Sequence, residues 1–84
     1  MRVPLESTLL AWVRYDPAAE RLDVHLRSRE RYRYFGVPPS RYQQLLLADS
    51  KGAFFNRHIR NCFPFQNLSK SAAPIVLAAP RKTK

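Results

Sequence analysis

The chain has 84 residues, with 15 Lys plus Arg against 6 Asp plus Glu and a formal net charge of +9. That length builds one small domain, and 45% hydrophobic with 12% aromatic residues is too apolar for a disordered polycation. A lone Cys62 excludes an internal disulfide and any multi-cysteine metal site, and no apolar run reaches the roughly 20 residues that span a bilayer.

The N-terminus lacks the basic-then-apolar layout of a signal peptide, so the expectation is a soluble, monomeric, cytoplasmic module that does not engage membranes. Its charge is unevenly placed. No acid lies beyond Asp49, so residues 1–49 carry a balance of +2 and residues 50–84 carry +7. Eleven of the 15 basic residues are Arg, whose planar fork suits phosphates. This asymmetry points to an anionic partner, nucleic acid being the commonest, against the plainer reading of charge kept for solubility. Residues 7–65 hold +5 and residues 66–84 hold +4, so much of the excess says little about a shaped site.

Residues 8–15, rich in β-branched and aromatic types, read as a first strand. Leu10 and Val13 are both apolar but three apart, and a bulge would bring both to the core face. Asp16-Pro17-Ala18-Ala19-Glu20 reads as a turn. Residues 21–27 alternate, with Leu22, Val24 and Leu26 on one face and Arg21, Asp23, His25 and Arg27 on the other. Ser28-Arg29-Glu30 is a tight connection to a third strand, Arg31 to Phe35, which puts Tyr32 and Tyr34 on one face and Arg31, Arg33 and Phe35 on the other.

Gly36-Val37-Pro38-Pro39 breaks that strand and opens a helix over 39–48 on Tyr42, Leu45 and Leu46. Asp49 and Ser50 separate it from a second helix, about Lys51 to Asn61, which Phe63-Pro64-Phe65 ends. Two prolines, small residues and a charged end make residues 66–84 a disordered basic C-terminal tail, in which Ile75-Val76-Leu77 is a lesser candidate for an edge strand. The expected architecture is α+β: a three-stranded antiparallel meander with two short helices packed on one face. The expected boundaries are an arm over 1–6, a domain over 7–65 and the tail.

The stretch from Ser7 to Phe65, about 59 of 84 residues, resembles the KTSC domain, a small module also found at the C-terminus of some bacterial lysyl-tRNA synthetases. The matching residues are Ser7-Thr8, Val13-x-Tyr15-Asp16, Leu22-x-Val24-x-Leu26, and Tyr32-Arg-Tyr34 with Phe35-Gly-Val37-Pro38. The most specific run is Ala48-Asp-Ser50-Lys51-Gly52-Ala-Phe54-Phe55-Asn56-x-x-Ile59-Arg60, followed by Phe63-Pro64-Phe65. Two departures stand out: Ser28-Arg29-Glu30 replaces a hairpin that often carries Gly, and Phe63-Pro64-Phe65 lacks the family's more usual Tyr. The resemblance implies a small α+β domain of unestablished role, with RNA binding proposed from its company, and it does not imply synthetase activity.

Tyr32 and Tyr34 are either a base-stacking platform or core, and the small number of elements favours core. Arg31, Arg33 and Phe35, with Arg27, His25 and Arg21 on the neighbouring strand, make a basic sheet surface carrying an aromatic. Lys51 beside Gly52 at a helix start suits an anion, although a cap at Ser50 with close packing at Gly52 explains the same residues. Asn56 and His58 lack a nucleophile at any defined spacing, so no enzyme is expected. His25, His58 and Cys62 make no tetrahedral metal site, and no cofactor is expected. The preferred expectation is an RNA or other nucleic-acid interface formed by Arg27, Arg31, Arg33, Lys51, Arg57 and Arg60, with Phe35 stacking a base. The alternative is a protein-interaction module anchored on Trp12 or Phe63-Pro64-Phe65.

Overall fold

The structure is a computed structural model that describes residues 2–70 and 73–77. Six strands pair in chain order, all antiparallel: β1 (Arg2–Pro4), β2 (Leu10–Asp16), β3 (Arg21–Leu26), β4 (Arg31–Phe35), β5 (Phe65–Asn67) and β6 (Ile75–Val76). Two helices, α1 (Pro39–Leu47) and α2 (Lys51–His58), are inserted between β4 and β5 and cover one face of the sheet. The α+β class and the helix pair agree with expectation. The three-stranded meander is present as β2–β4 but is extended at both edges: β1 recruits the expected arm, β5 joins Phe65 to Gln66 and Asn67 of the expected tail, and β6 falls on the lesser edge-strand candidate Ile75-Val76-Leu77. Residues 71, 72 and 78–84 of that tail lie outside the described residues. The three added strands have two or three residues each, too few for alternation to register in a sequence, and β5 pairs the backbone edge that β4 would otherwise leave open.

β2 contains the expected bulge. Leu10 pairs with Leu26 and Trp12 with His25, so Ala11 is the extra residue, and both Leu10 and Val13 end fully buried. In the β2–β3 turn the Asp16 Oδ1 accepts from the Ala18 and Ala19 amides at 3.1 and 3.3 Å. The β3–β4 turn places Arg29 at φ +80°, a left-handed conformation ordinarily left to Gly, and closes on Arg29 N–H to Leu26 O at 2.9 Å. Arg29 thus occupies the conformation that the missing hairpin glycine would serve.

Gly36, at φ +75°, turns the chain out of β4, and Val37 is then held by its amide to Glu20 O at 2.9 Å. Pro39 opens α1 with its fixed φ, and Ser50 Oγ caps α2 by accepting from Ala53 N–H at 3.2 Å. The helical run ends at His58, earlier than the expected Asn61. The Ile59 and Arg60 amides both close back on Phe55 O, and Asn61 adopts φ +65° before Pro64 is reached.

The helices bury Leu45, Phe55 and Ile59 against Leu22, Val24 and Tyr34 of the sheet. Phe55 meets Tyr34 edge-to-face at 5.7 Å, and Tyr15 stacks on Tyr42 at 4.4 Å while donating to Val37 O at 2.6 Å. Burial drives the Tyr34 phenol well above its ordinary pKa.

Phe55→Ala is expected to remove about 3–5 kcal/mol, comparable with the whole stability of a small domain, and urea denaturation should find the variant largely unfolded. Two of the left-handed positions, Gly36 and Arg29, make a paired test. Gly36→Ala meets no neighbour within 4 Å, so its cost of about 1 kcal/mol is backbone strain alone. Arg29→Gly relieves the same strain. Thermal melting should move by several degrees in opposite directions for the two variants.

Candidate functional site

Antiparallel register and period-2 alternation sort the strand residues into two sets. Val13, Tyr15, Leu22, Val24, Tyr32, Tyr34 and Phe65 face the helices. The opposite face carries a grid of polar and aromatic residues. Its middle row runs Arg2, Arg14, Asp23, Arg33, Gln66, Ile75 across all six strands. One neighbouring row holds Trp12, His25 and Arg31, and the other holds Asp16, Arg21 and Phe35. The bulge at Ala11 is what turns Trp12 outward while keeping Leu10 inside.

Asp23 sits at the centre of this grid with its side chain only 12% exposed. Arg33 grips it with two bonds, Nε to Oδ1 at 2.8 Å and Nη2 to Oδ2 at 3.1 Å, and this hydrogen bonding raises the guanidinium pKa further. Arg14 lies 3.7 Å from Asp23 Oδ2, and Arg21 lies 3.6 Å from Asp16 Oδ2, both longer than a hydrogen bond. Trp12 stacks on His25 with ring centroids 4.8 Å apart, and the Arg2 guanidinium lies 4.5 Å from the indole centroid. His25 Nδ1 is buried there and has no hydrogen-bond partner. Arg31 donates to Leu68 O at 3.2 Å, tying β4 to the end of β5.

A concavity of about 330 Å³ opens at the turn end of this face, lined by Arg14, Tyr15, Asp16, Pro17, Arg21 and Asp23. A second, of about 460 Å³, lies between the β1–β2 loop and the start of α2, lined by Glu6, Ser7, Thr8, Asp49, Ser50 and Lys51. In that second cleft Ser7 Oγ accepts from the Leu9 and Leu10 amides at 3.1 Å each, and Lys51 Nζ donates to Ala48 O at 3.0 Å. The expected close packing at Gly52 is ordinary contact: a Cβ there would stand 3.4 Å from Leu9 Cβ and 3.5 Å from Ser7 Oγ.

The expected interface residues divide between two layers. Arg31, Arg33 and Phe35 belong to the open sheet face. Lys51, Arg57 and Arg60 belong to α2 and its end, in the layer that covers the other face, so one surface joining them to Arg31 and Arg33 does not form. Arg60 instead donates to Asn56 Oδ1 at 3.2 Å. Arg27 spends its guanidinium on Ser7 O and Leu5 O, at 2.7 and 3.1 Å, pinning the β1–β2 loop.

Of the motif aromatics, Tyr34 and Phe55 are buried, and Tyr32 and Phe54 are half-buried on the helix side. Tyr32 donates to Glu30 at 3.3 Å, and burial followed by the Glu30 charge raises its phenol pKa. The His58 ring rests 4.7 Å from Phe54. Cys62 Sγ lies 3.6 Å from Arg57 O. Among the described residues no three His, Cys, Asp or Glu side chains gather as a metal site, and no helix is long and apolar enough to cross a membrane.

Sequence reasoning put Arg21 on the basic sheet surface without adding it to the preferred interface, and it passed over Arg14 and Arg2. Pairing the two sides of the Asp16–Glu20 turn would have found Arg14, because a hairpin there sets Arg14 opposite Asp23 and Asp16 opposite Arg21.

A similar fold occurs in the crystal structure of a KTSC domain protein from Yersinia pestis, with a TM-score of 0.77 and 33% identity over 80% of this chain and 94% of that one. An uncharacterized protein of Stutzerimonas stutzeri is 46% identical over 56 residues, 67% of this chain and 79% of the relative. A lysine-tRNA ligase of Nostoc punctiforme is 36% identical over 64 residues, which are 76% of this chain but 11% of the ligase. The model of the KTSC domain matches residues 6–63, which span β1's exit through the end of α2 and on to Phe63. With that match covering most of its length, the chain belongs to the KTSC domain family.

Proposed function

We propose that this protein is a single-stranded RNA-binding module whose contact surface is the open face of the sheet. The observation that carries the reading is the composition of that face, where five arginines (Arg2, Arg14, Arg21, Arg31, Arg33) surround Asp16 and Asp23 in register with Trp12, His25 and Phe35. A flat sheet presents such side chains at regular spacing, so guanidiniums can follow a phosphate backbone while aromatics stack bases for about 1–3 kcal/mol each. The kinship with a lysine-tRNA ligase, an enzyme whose substrate is an RNA, supports the same direction. Asp23 and Asp16 neutralise part of the charge, so binding in the micromolar range is expected rather than the tight grip of a fully basic groove.

The protein-interaction alternative has less geometry behind it. Phe63 and Phe65 pack against the core, and Trp12 lies between Arg2 and His25.

Trp12 is the only tryptophan, and its place on the face makes its fluorescence a direct reporter. Titration with a short single-stranded oligonucleotide at low salt should perturb that emission and the amides of Trp12, His25, Arg31 and Phe35. Affinity should fall linearly in log–log with salt, by about 0.7 per phosphate neutralised. Phe35→Ala should weaken binding by about 1–3 kcal/mol, and Arg31→Gln should flatten the salt slope by about one phosphate. Lys51→Gln, in the other layer, should change affinity by less than about twofold. Amide shifts confined to α2 or to the segment after Asn67 would overturn the reading.

A further inference from the structure

We infer that the concavity at the turn end of the open face is a nucleotide phosphomonoester site, in which Arg14 and Arg21 hold the phosphate and Phe35 receives the attached base. This rests on the sheet-face reading above and deepens it, because it makes the end of a nucleic-acid strand the preferred element of the ligand.

The ionic contacts at this end of the sheet differ in strength. Asp23 is already held by Arg33 through bonds of 2.8 and 3.1 Å, and Asp16 already accepts from the Ala18 and Ala19 amides. Each carboxylate therefore has a better partner than the arginine that faces it across the cavity. Arg14 and Arg21 stand 3.7 and 3.6 Å from those carboxylates, and among the described residues neither guanidinium donates a hydrogen bond. Their side chains are 54% and 39% exposed, reachable from solvent yet converging on one concavity of about 330 Å³. That volume falls within the range of small-ligand pockets. A phosphate oxygen offered to each fork replaces a loose contact with a charge-assisted hydrogen bond and displaces no established bond.

The position of the concavity favours one of two kinds of phosphate. Pro17 of the β2–β3 turn is in its lining, so it lies where β2 ends and β3 begins. A mid-strand phosphodiester must leave a site in two directions, carries one charge and offers two free oxygens. A terminal monoester leaves in one direction, carries about −1.5 to −2 charge at neutral pH and offers three oxygens, enough to engage both guanidiniums. The register then supplies the neighbour of the phosphate. Phe35 is the cross-strand partner of Arg21, so the first nucleoside emerging from the cavity meets the aromatic on β4. Beyond it the strand runs toward Arg31.

The test compares one short single-stranded oligonucleotide in three forms: with a phosphate on its first nucleotide, with a phosphate on its last, and with hydroxyls at both ends. Adenosine monophosphate and adenosine are titrated alongside, with amide shifts read on Arg14, Asp16 and Arg21. One phosphorylated form should bind at least about fivefold tighter than the hydroxyl form. The double variant Arg14→Gln/Arg21→Gln should erase that preference, so that the phosphorylated and hydroxyl forms bind it within about twofold of one another. Its melting temperature should stay close to the parent's, since both ion pairs are loose, both guanidiniums reach solvent, and Asp23 keeps its two bonds from Arg33.

Equal affinity for all three forms overturns the phosphomonoester site and leaves the sheet-face reading standing. Shifts of the cavity amides by adenosine monophosphate but not adenosine, with no oligonucleotide binding, overturn the sheet-face reading and identify the free mononucleotide as the source of the phosphate. Absence of both responses overturns the two together.

Discussion

The bulge at Ala11 governs how the two faces of this sheet are assigned. Without it, strict alternation along β2 would send Leu10 and Trp12 to one side and Val13 to the other. With one extra residue, Leu10 pairs with Leu26 and Val13 with Val24 on the helix side, while Trp12 meets His25 on the open side. The same irregularity therefore completes the core and places the indole among the arginines. A register slip anywhere in β2 would expose Val13 and bury Arg14, so the hydrophobic demand of the core also secures the polar pattern of the open face.

Asp23 holds that polar pattern together. It is the one buried polar or charged residue of the described chain, and it occupies the middle strand between Arg14 and Arg33. Burying a lone carboxylate is costly, and the two-pronged grip of Arg33 is what makes the position tolerable. The consequence is a division among the arginines. Arg33 is committed to the fold, Arg31 is half-committed through Leu68 O, and Arg14 and Arg21 keep their donors. Net charge alone treats these four as equivalent. Their hydrogen bonds separate them.

The long strands, the bulge and both helices were legible because each is signalled over five or more residues: Leu22, Val24 and Leu26 by alternation, and Tyr42, Leu45 and Leu46 by helical spacing. β1 and β5 were not, since Arg2–Pro4 and Phe65–Asn67 are defined by the edges they pair with rather than by any pattern of their own, and β6 showed only as the lesser edge-strand candidate Ile75-Val76-Leu77. The basic site was half legible. Alternation placed Arg31, Arg33 and Phe35 correctly on one face, but nothing in a linear pattern tells that α2 lies across the sheet from them, or that Arg27 turns back to Ser7 O and Leu5 O. Those facts depend on which side the helices pack, which only the assembled layers determine.

The layers also explain why family membership and ligand choice are separable here. Of the residues that carry the KTSC resemblance, Tyr34, Phe55 and Ile59 are buried in the core, and Ser7 and Ser50 satisfy backbone amides at a turn and a helix start. Each is required to build the fold whatever the domain binds. Arg14, Arg21 and Arg31 project from the opposite side of the same strands. Substitutions there cost little stability, because surface ion pairs of this kind are worth at most about 1 kcal/mol. The open face is thus free to change its chemistry while the motif face stays fixed. On the reading proposed above, recognition rests with the arginine and aromatic positions of the grid and not with the residues that identify the family.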